Sequence, residues 1–297
     1  MKKCANIVWF KRDLRVHDNA PLHEAARAGL PVIPLYVVES DYWRQPFASR
    51  RHWNFIHDCL AELLIDCTEL GQPLIVRVGS IIEILNSLNT SHSIKGIYAH
   101  EERGNGWTYS RDRKINEWCK KQSIPNYEYP SNGVIRRLKN RDDWSKIRNA
   151  RMAQPLIKKP QRLEPVTSIP LGDIPSKDDS IFGSLVNGIT QKGGRRAAIK
   201  TLKTFFGERS KNYIHHLSAP GESEKYCSRL SPHLTWGTLS VREVFQSSKK
   251  HRKYITNEGP KTWKRNLAAF GSRLSWRCHF IQKIEDQPSI LQRYCPF

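Results

Sequence analysis

The sequence predicts an α/β doubly wound parallel sheet of five strands, followed by an all-α region. Three observations carry this. Five short apolar runs alternate with helix-patterned stretches over the first 130 residues. Residues 131–190 are rich in Pro and basic residues and poor in periodicity. From about Gly193 onward only helical spacing is found.

The elements follow in order. Ala5–Phe10 reads as a buried strand that runs straight into Lys11, Arg12 and Arg15. Asp18 or Asn19 is placed to cap a helix that ends at Gly29. A basic loop between a parallel strand and a helix is a common setting for anions and nucleotides. Val32–Val38, Leu74–Val78, Gly96–His100 and Asn126–Tyr129 complete the expected strands. Between them, Trp53, Ile56, Leu60, Leu63, Leu64, Cys67 and Leu70 mark the apolar face of a helix over about 48–70. Ser80 and Glu83 form a capping-box pattern, and a further helix is expected over about 109–121. Asp13 with Arg12 or Arg15 reads as a local ion pair, and Trp9 as core.

Residues 1–130 therefore read as one domain, 131–190 as a connector with a possible helix near 142–151, and 191–297 as a second domain. In that last part a helix is expected over 195–206. Ser240 and Glu243 again make a capping box, for a helix to about Arg252. Trp263, Leu267, Phe270 and Leu274 line a long helix to about Asp286.

The formal net charge is +21, and it is lopsided. Residues 1–130 hold 17 Lys/Arg against 15 Asp/Glu, whereas residues 131–297 hold 32 against 13. A basic half of this kind fits a polyanion such as DNA. The seven cysteines are scattered without a C-x-x-C pair, so reduced thiols are expected rather than disulfides or zinc ligands. The histidines lack metal spacing, and no metal site is expected. No apolar run reaches the roughly 18 residues of a membrane span. A cytoplasmic monomer without membrane contact is the expectation.

Two later runs are candidates for binding. Cys227, Ser228, Arg229, Leu230 and Ser231 precede a helical region, where N–H groups and hydroxyls can hold phosphate. Arg273, Trp276, Arg277 and Phe280 share one helical face that mixes cations with aromatics, suited to stacking on flat rings such as bases. The plain alternatives stay open: Ser228 and Ser231 as helix caps, Trp276 and Phe280 as core, Arg277 as a surface charge.

Three motifs in order resemble the photolyase/cryptochrome family. The first is Trp9-Phe10-Lys11-Arg12-Asp13-Leu14-Arg15-Val16-His17-Asp18-Asn19-Ala20-Pro21-Leu22. The second runs from Ser228-Arg229-Leu230-Ser231-Pro232 to Leu239-Ser240-Val241-Arg242, and the third is Arg273-Leu274-Ser275-Trp276-Arg277-Cys278-His279-Phe280. The resemblance implies an antenna-type α/β domain followed by a helical FAD-binding domain. It implies FAD contacts at Tyr213, Cys227, Ser228, Arg229, Leu230, Ser231 and Arg277, and DNA contacts at Arg273, Trp276, Arg277 and Phe280. Intact relatives use light-driven electron transfer from reduced FAD to repair pyrimidine photoproducts in DNA.

The chain departs from the family pattern in several places. Dimer-repairing members carry Glu where Arg273 stands, which turns an acceptor into a donor-only cation. Cys227 replaces a Thr. Trp107 and Thr108 stand where an antenna folate would meet an Asn-Glu pair, so a deazaflavin or no antenna is the open alternative. The family's flavin domain continues well past the third motif, and its catalytic residues would lie beyond Phe297. The chain thus reads as truncated within the helical domain. A remnant that binds DNA with little or no FAD, or a cryptochrome-like photoreceptor, are the competing readings.

Overall fold

The computed structural model describes residues 2–184, 188, 190–219, 221–258 and 260–290. Two compact units emerge, each built from separated parts of the chain.

Unit 1 comprises residues 1–129 and 157–194. Its five strands are β1 (Cys4–Phe10), β2 (Val32–Val38), β3 (Ile75–Val78), β4 (Ser93–His100) and β5 (Asn126–Tyr129). They form one sheet in the order β3-β2-β1-β4-β5, with every pairing parallel. The crossovers carry α1 (Ala20–Arg27), α2 (Ser40–Trp43), α3 (Arg50–Glu69), α4 (Ile81–Ser91) and α5 (Gly106–Gln122). Strands covered on both faces need apolar side chains throughout, and all seven residues of β2 are buried. On one face Ile7, Trp9, Ile33, Leu35 and Ile97 pack with Leu85 of α4 and Ile115 and Trp118 of α5. The first helix is capped by Asn19, whose side chain accepts the Leu22 N–H. Ser80 has the extended backbone of a cap but makes no side-chain capping bond.

The stretch expected as a connector divides between the units. Residues 130–156 belong to unit 2, and 157–194 return to the sheet. The returning strap is fixed by backbone bonds. Glu164 O accepts from Val32 N, Leu70 O accepts from Leu163 N, and Leu171 O accepts from Val76 N of the edge strand β3. An edge strand exposes unpaired backbone groups, and an extended, Pro-rich segment satisfies some without extending the sheet. Arg50 reinforces the strap by donating to Asp179 O and Gly183 O.

Unit 2 comprises residues 130–156 and 195–296 and contains no strand among its described residues. Its helices are α6 (Trp144–Ala153), α7 (Arg195–Gly207), α8 (Tyr213–His216), α9 (Ser223–Tyr226), α10 (Ser231–Thr235), α11 (Val241–Glu258) and α12 (Lys261–Asp286). Phe205, Phe206, Val244, Leu267, Phe270 and Leu274 form the centre of its core. The cap at Ser240 forms: its hydroxyl accepts the Glu243 N–H at 2.9 Å. The Glu243 carboxylate turns to Arg195 instead of back to the cap, with N···O distances of 2.6 and 3.0 Å. Gln282 of α12 grips both backbone groups of Ile135, at 2.7 and 3.0 Å.

No described helix is long and apolar enough to cross a membrane. The described cysteines are free thiols, and no described cluster of His, Cys, Asp or Glu could hold a metal ion. Cys295 and the segment 291–297 lie outside the described residues.

Candidate functional site

Unit 2 carries a cleft of about 470 Å³, within the usual size range of ligand pockets. Tyr213, Ser228, Leu230, Ser231, Arg273 and Arg277 all line it. The two serines come from the loop entering α10, and the two arginines project one turn apart from α12. Leu217, Ser218, Leu234, Thr235, Phe270 and Leu274 complete the wall, and no carboxylate is among the lining residues. Leu234, Thr235 and Leu274 fall inside the second and third motifs, whereas Leu217, Ser218 and Phe270 lie outside them and are gathered by the tertiary fold.

The other predicted residues lie elsewhere. Cys227 is half-buried beside the cleft, and burial pushes its thiol pKa up. Arg229 points away toward Glu224, 3.2 Å distant, with its backbone in the left-handed region at φ 58°. Trp276 and Phe280 are 50% and 57% exposed, in edge-to-face contact at 6.5 Å. The Arg273 guanidinium lies 4.4 Å from the centre of the Trp276 ring. Arg273 therefore links the cleft to an exposed aromatic pair on the outer side of α12.

The loop is held by a residue that sequence reading missed. Arg209 donates to the carbonyls of Cys227, Ser228 and Thr201. Burial, together with the nearby Arg229 charge, draws its pKa down. Tyr213 sits 4% exposed against Phe205 and Phe270. Burial raises its pKa to about 12, so its hydroxyl remains a donor at neutral pH. Asn266 fixes this segment by accepting the Ile214 N–H at 2.8 Å and donating to Lys211 O at 2.5 Å. Arg277 donates to Leu234 O at 3.1 Å, which ties α12 to α10. His233 is fully buried with Nδ1 2.9 Å from Thr238 Oγ1, and burial holds its pKa down at about 4.

Unit 1 concentrates charge at the carboxyl ends of its strands. Asp13 pairs with His100 at 2.6 Å, and the charge of its sequence neighbour Arg15 also favours its ionised form. The reason for the His100 contact is the sheet order: β1 and β4 are adjacent, so the end of one meets the end of the other. Burial disfavours both charges. Asp13 nonetheless stays ionised through its bonds from His100 and the Lys11 N–H, while His100 remains neutral. Arg12 pairs with Glu102 at 2.9 Å, Lys11 with Asp112 at 3.2 Å, and Arg103 with Glu101. Arg111 reaches Glu39, Glu102 and Asp112. Burial opposes the charge of Glu102, but Arg111, Arg12 and Lys11 outweigh it and hold the pKa at about 2. Thr108, 2% exposed, turns inward to the Asn105 cap of α5, while Trp107 lines a second cleft of about 380 Å³.

A parallel α/β sheet unit and a helical unit bearing a donor-lined cleft are the frame against which the comparisons with known proteins can be read. The DNA photolyase family model matches residues 6–158, and the chain belongs to that family. Cryptochrome DASH of Synechocystis is 23% identical over 283 residues, covering 86% of this chain and 57% of its own length. The crystal structure of a Synechocystis cryptochrome superposes with a TM-score of 0.79 at 20% identity, over 96% of this chain and 62% of that one. The archaeal photolyase from Sulfolobus tokodaii, solved with two FAD molecules, superposes at 0.70 with 22% identity, over 97% and 61%. The chain spans about half to three-fifths of the length of the curated relatives it matches.

Proposed function

We propose that the helical unit binds FAD in its cleft and that DNA docks beside it, on the face bearing Arg273, Trp276 and Phe280. One observation carries the reading. The cleft gathers Tyr213, Ser228, Ser231, Arg273 and Arg277 around a space without a single carboxylate. Such a donor set suits an anionic diphosphate together with a flat ring system. The Sulfolobus photolyase, with its two FAD molecules, supports the same choice of cofactor.

When bound, reduced FAD supplies light-driven electron donation to a pyrimidine photoproduct in DNA. The residues of this chain would supply the binding. Ser228 and Ser231 would donate to the diphosphate, with Arg209 fixing their loop through its carbonyls. Arg277 would add charge from α12. Tyr213 would give a hydroxyl donor backed by Phe205 and Phe270. Trp276 and Phe280 would stack on bases, with Arg273 over the Trp276 face to meet phosphate. The excess of 32 Lys/Arg over 13 Asp/Glu in residues 131–297 supports DNA as the polyanion. With a cation at position 273, a lesion finds a donor there and no acceptor, so repair of cyclobutane dimers in the usual geometry is not part of this reading.

The test is spectroscopic. The purified chain, reconstituted with FAD, should show flavin absorbance near 450 nm and release FAD when Ser228 and Ser231 are both changed to Ala. DNA affinity should fall steeply with salt, and Trp276→Ala should weaken it. A colourless chain after reconstitution would sink the flavin part. DNA binding that is absent at every salt concentration would sink the other.

A further inference from the structure

Doubly wound sheets take ligands beyond the carboxyl ends of the strands, where the strand order reverses. In unit 1 that point lies between β1 and β4. Here the chain's own side chains fill it. The Arg111 guanidinium carbon sits 4.7 Å from the centre of the Trp9 ring and 5.5 Å from that of Trp107. Its edge is taken up by acidic partners: Glu39 at 2.9 Å, Asp112 at 3.0 Å, and Glu102. A planar, edge-donating cation thus lies beside two indoles at the switch point.

We propose that Arg111 is the resident occupant of this crevice, so that the sheet unit takes no second planar cofactor while Arg111 is in place. A second chromophore of the kind the family implies for this domain does not fit the residues present. To enter, it would have to displace Arg111 from three carboxylates, taking from Glu39 the cation that pairs it and leaving Glu102 to Arg12 and Asp112 to Lys11. Glu102 and Arg111 have side chains only 4% and 11% exposed, so water cannot take over that role cheaply. The space left beside the plug is the cleft of about 380 Å³. Its lining brings Glu39, Asp41 and Glu83 against Lys114 and the already paired Arg111, which gives a phosphorylated cofactor no net attraction. The proposal is independent of the flavin reading for unit 2.

The experiment compares the full chain with its Arg111→Ala variant. Each is incubated with lumiflavin, a flavin ring without phosphate, or with methenyltetrahydrofolate, whose ring is cationic, and bound chromophore per chain is measured after gel filtration. The wild-type chain should take no folate, and any flavin it holds should survive Trp107→Ala. Arg111→Ala should gain about one further chromophore per chain whether or not unit 2 holds flavin. Methylguanidinium should raise the thermal midpoint of Arg111→Ala, leave the wild type unmoved, and displace the added chromophore. Since Arg111→Ala risks misfolding, Arg111→Gln is run beside it and circular dichroism checks both. A wild-type chain that binds folate, or flavin that is lost on Trp107→Ala, overturns the proposal. So does a folded Arg111 variant that gains neither chromophore nor methylguanidinium stabilisation.

Discussion

Asn266 offers a demanding check on how the cleft is built. The residue is 4% exposed and satisfies two backbone groups, the Ile214 N–H at 2.8 Å and the Lys211 carbonyl at 2.5 Å. Both lie in the segment that carries Tyr213 into the cleft. Asn266→Ala removes both partners and leaves a polar N–H and a polar C=O beside the core. Each such group costs about 1–3 kcal/mol when unpaired and buried; both bonds here are only partly buried, which limits each to about 1–2 and gives an expected loss of about 2–4 kcal/mol. For a chain of this size that corresponds to about 5–10 °C in the transition of the helical unit. The assay is urea and thermal unfolding followed by circular dichroism, with FAD affinity measured in parallel. FAD affinity should fall because the Tyr213 segment loses its anchor. Asn266→Asp keeps the acceptor for Ile214 and exchanges the donor for a negative charge facing Lys211 O, so it should be no better than the alanine. A loss below about 0.5 kcal/mol for Asn266→Ala would refute the argument that these bonds hold the segment.

The remaining predictions concern charge. In unit 1, Glu102 has its pKa held at about 2 against an ordinary value near 4.5. A depressed carboxylate stabilises the fold above its unfolded pKa and loses that contribution as pH falls through the folded one. About 3 kcal/mol should therefore fade between about pH 4.5 and 2, and Glu102→Gln should flatten that part of the thermal-midpoint profile. In unit 2, His233 is held at about 4 by burial, against an ordinary 6.5. The folded state resists its protonation, so the helical transition should fall to lower temperature as pH drops from about 6.5 to 4, and His233→Gln should remove that slope. Arg195 and Glu243 pair at 2.6 Å with side chains 16% and 14% exposed. Arg195→Met should cost about 1–3 kcal/mol, and Arg195→Met with Glu243→Leu should recover part of it in a double-mutant cycle. Arg209→Met frees the loop carbonyls and should weaken FAD binding more than it lowers the thermal midpoint.

Local pattern proved sufficient for the five strands and the long helices, but not for the short helices α2, α8 and α9. Val32–Val38 and Asn126–Tyr129 stand as strands with the bounds their apolar runs suggest. The Ser240 cap forms, its hydroxyl accepting the N–H three residues on. The three family motifs were legible for a similar reason: they are contiguous runs whose spacing survives in one dimension.

What the sequence could not determine is which charged groups would meet. Asp13 feels the charge of its neighbour Arg15, but it also meets His100, 87 positions away, which no local pattern indicates. Glu243 closes onto Arg195, 48 positions back, and Ser80 leaves its own helix end uncapped. Arg111, an ordinary surface-type residue in the amphipathic pattern of α5, became the centre of a buried network because β1, β2 and β4 end around it. Nor was the return of 157–194 to the sheet visible, since a Pro-rich strap has no periodicity and its backbone bonds depend on an edge strand it must first reach. Helix and strand formation are settled by neighbours a few residues apart. Ion pairs and clefts are settled by distance in space, and only the folded chain fixes that.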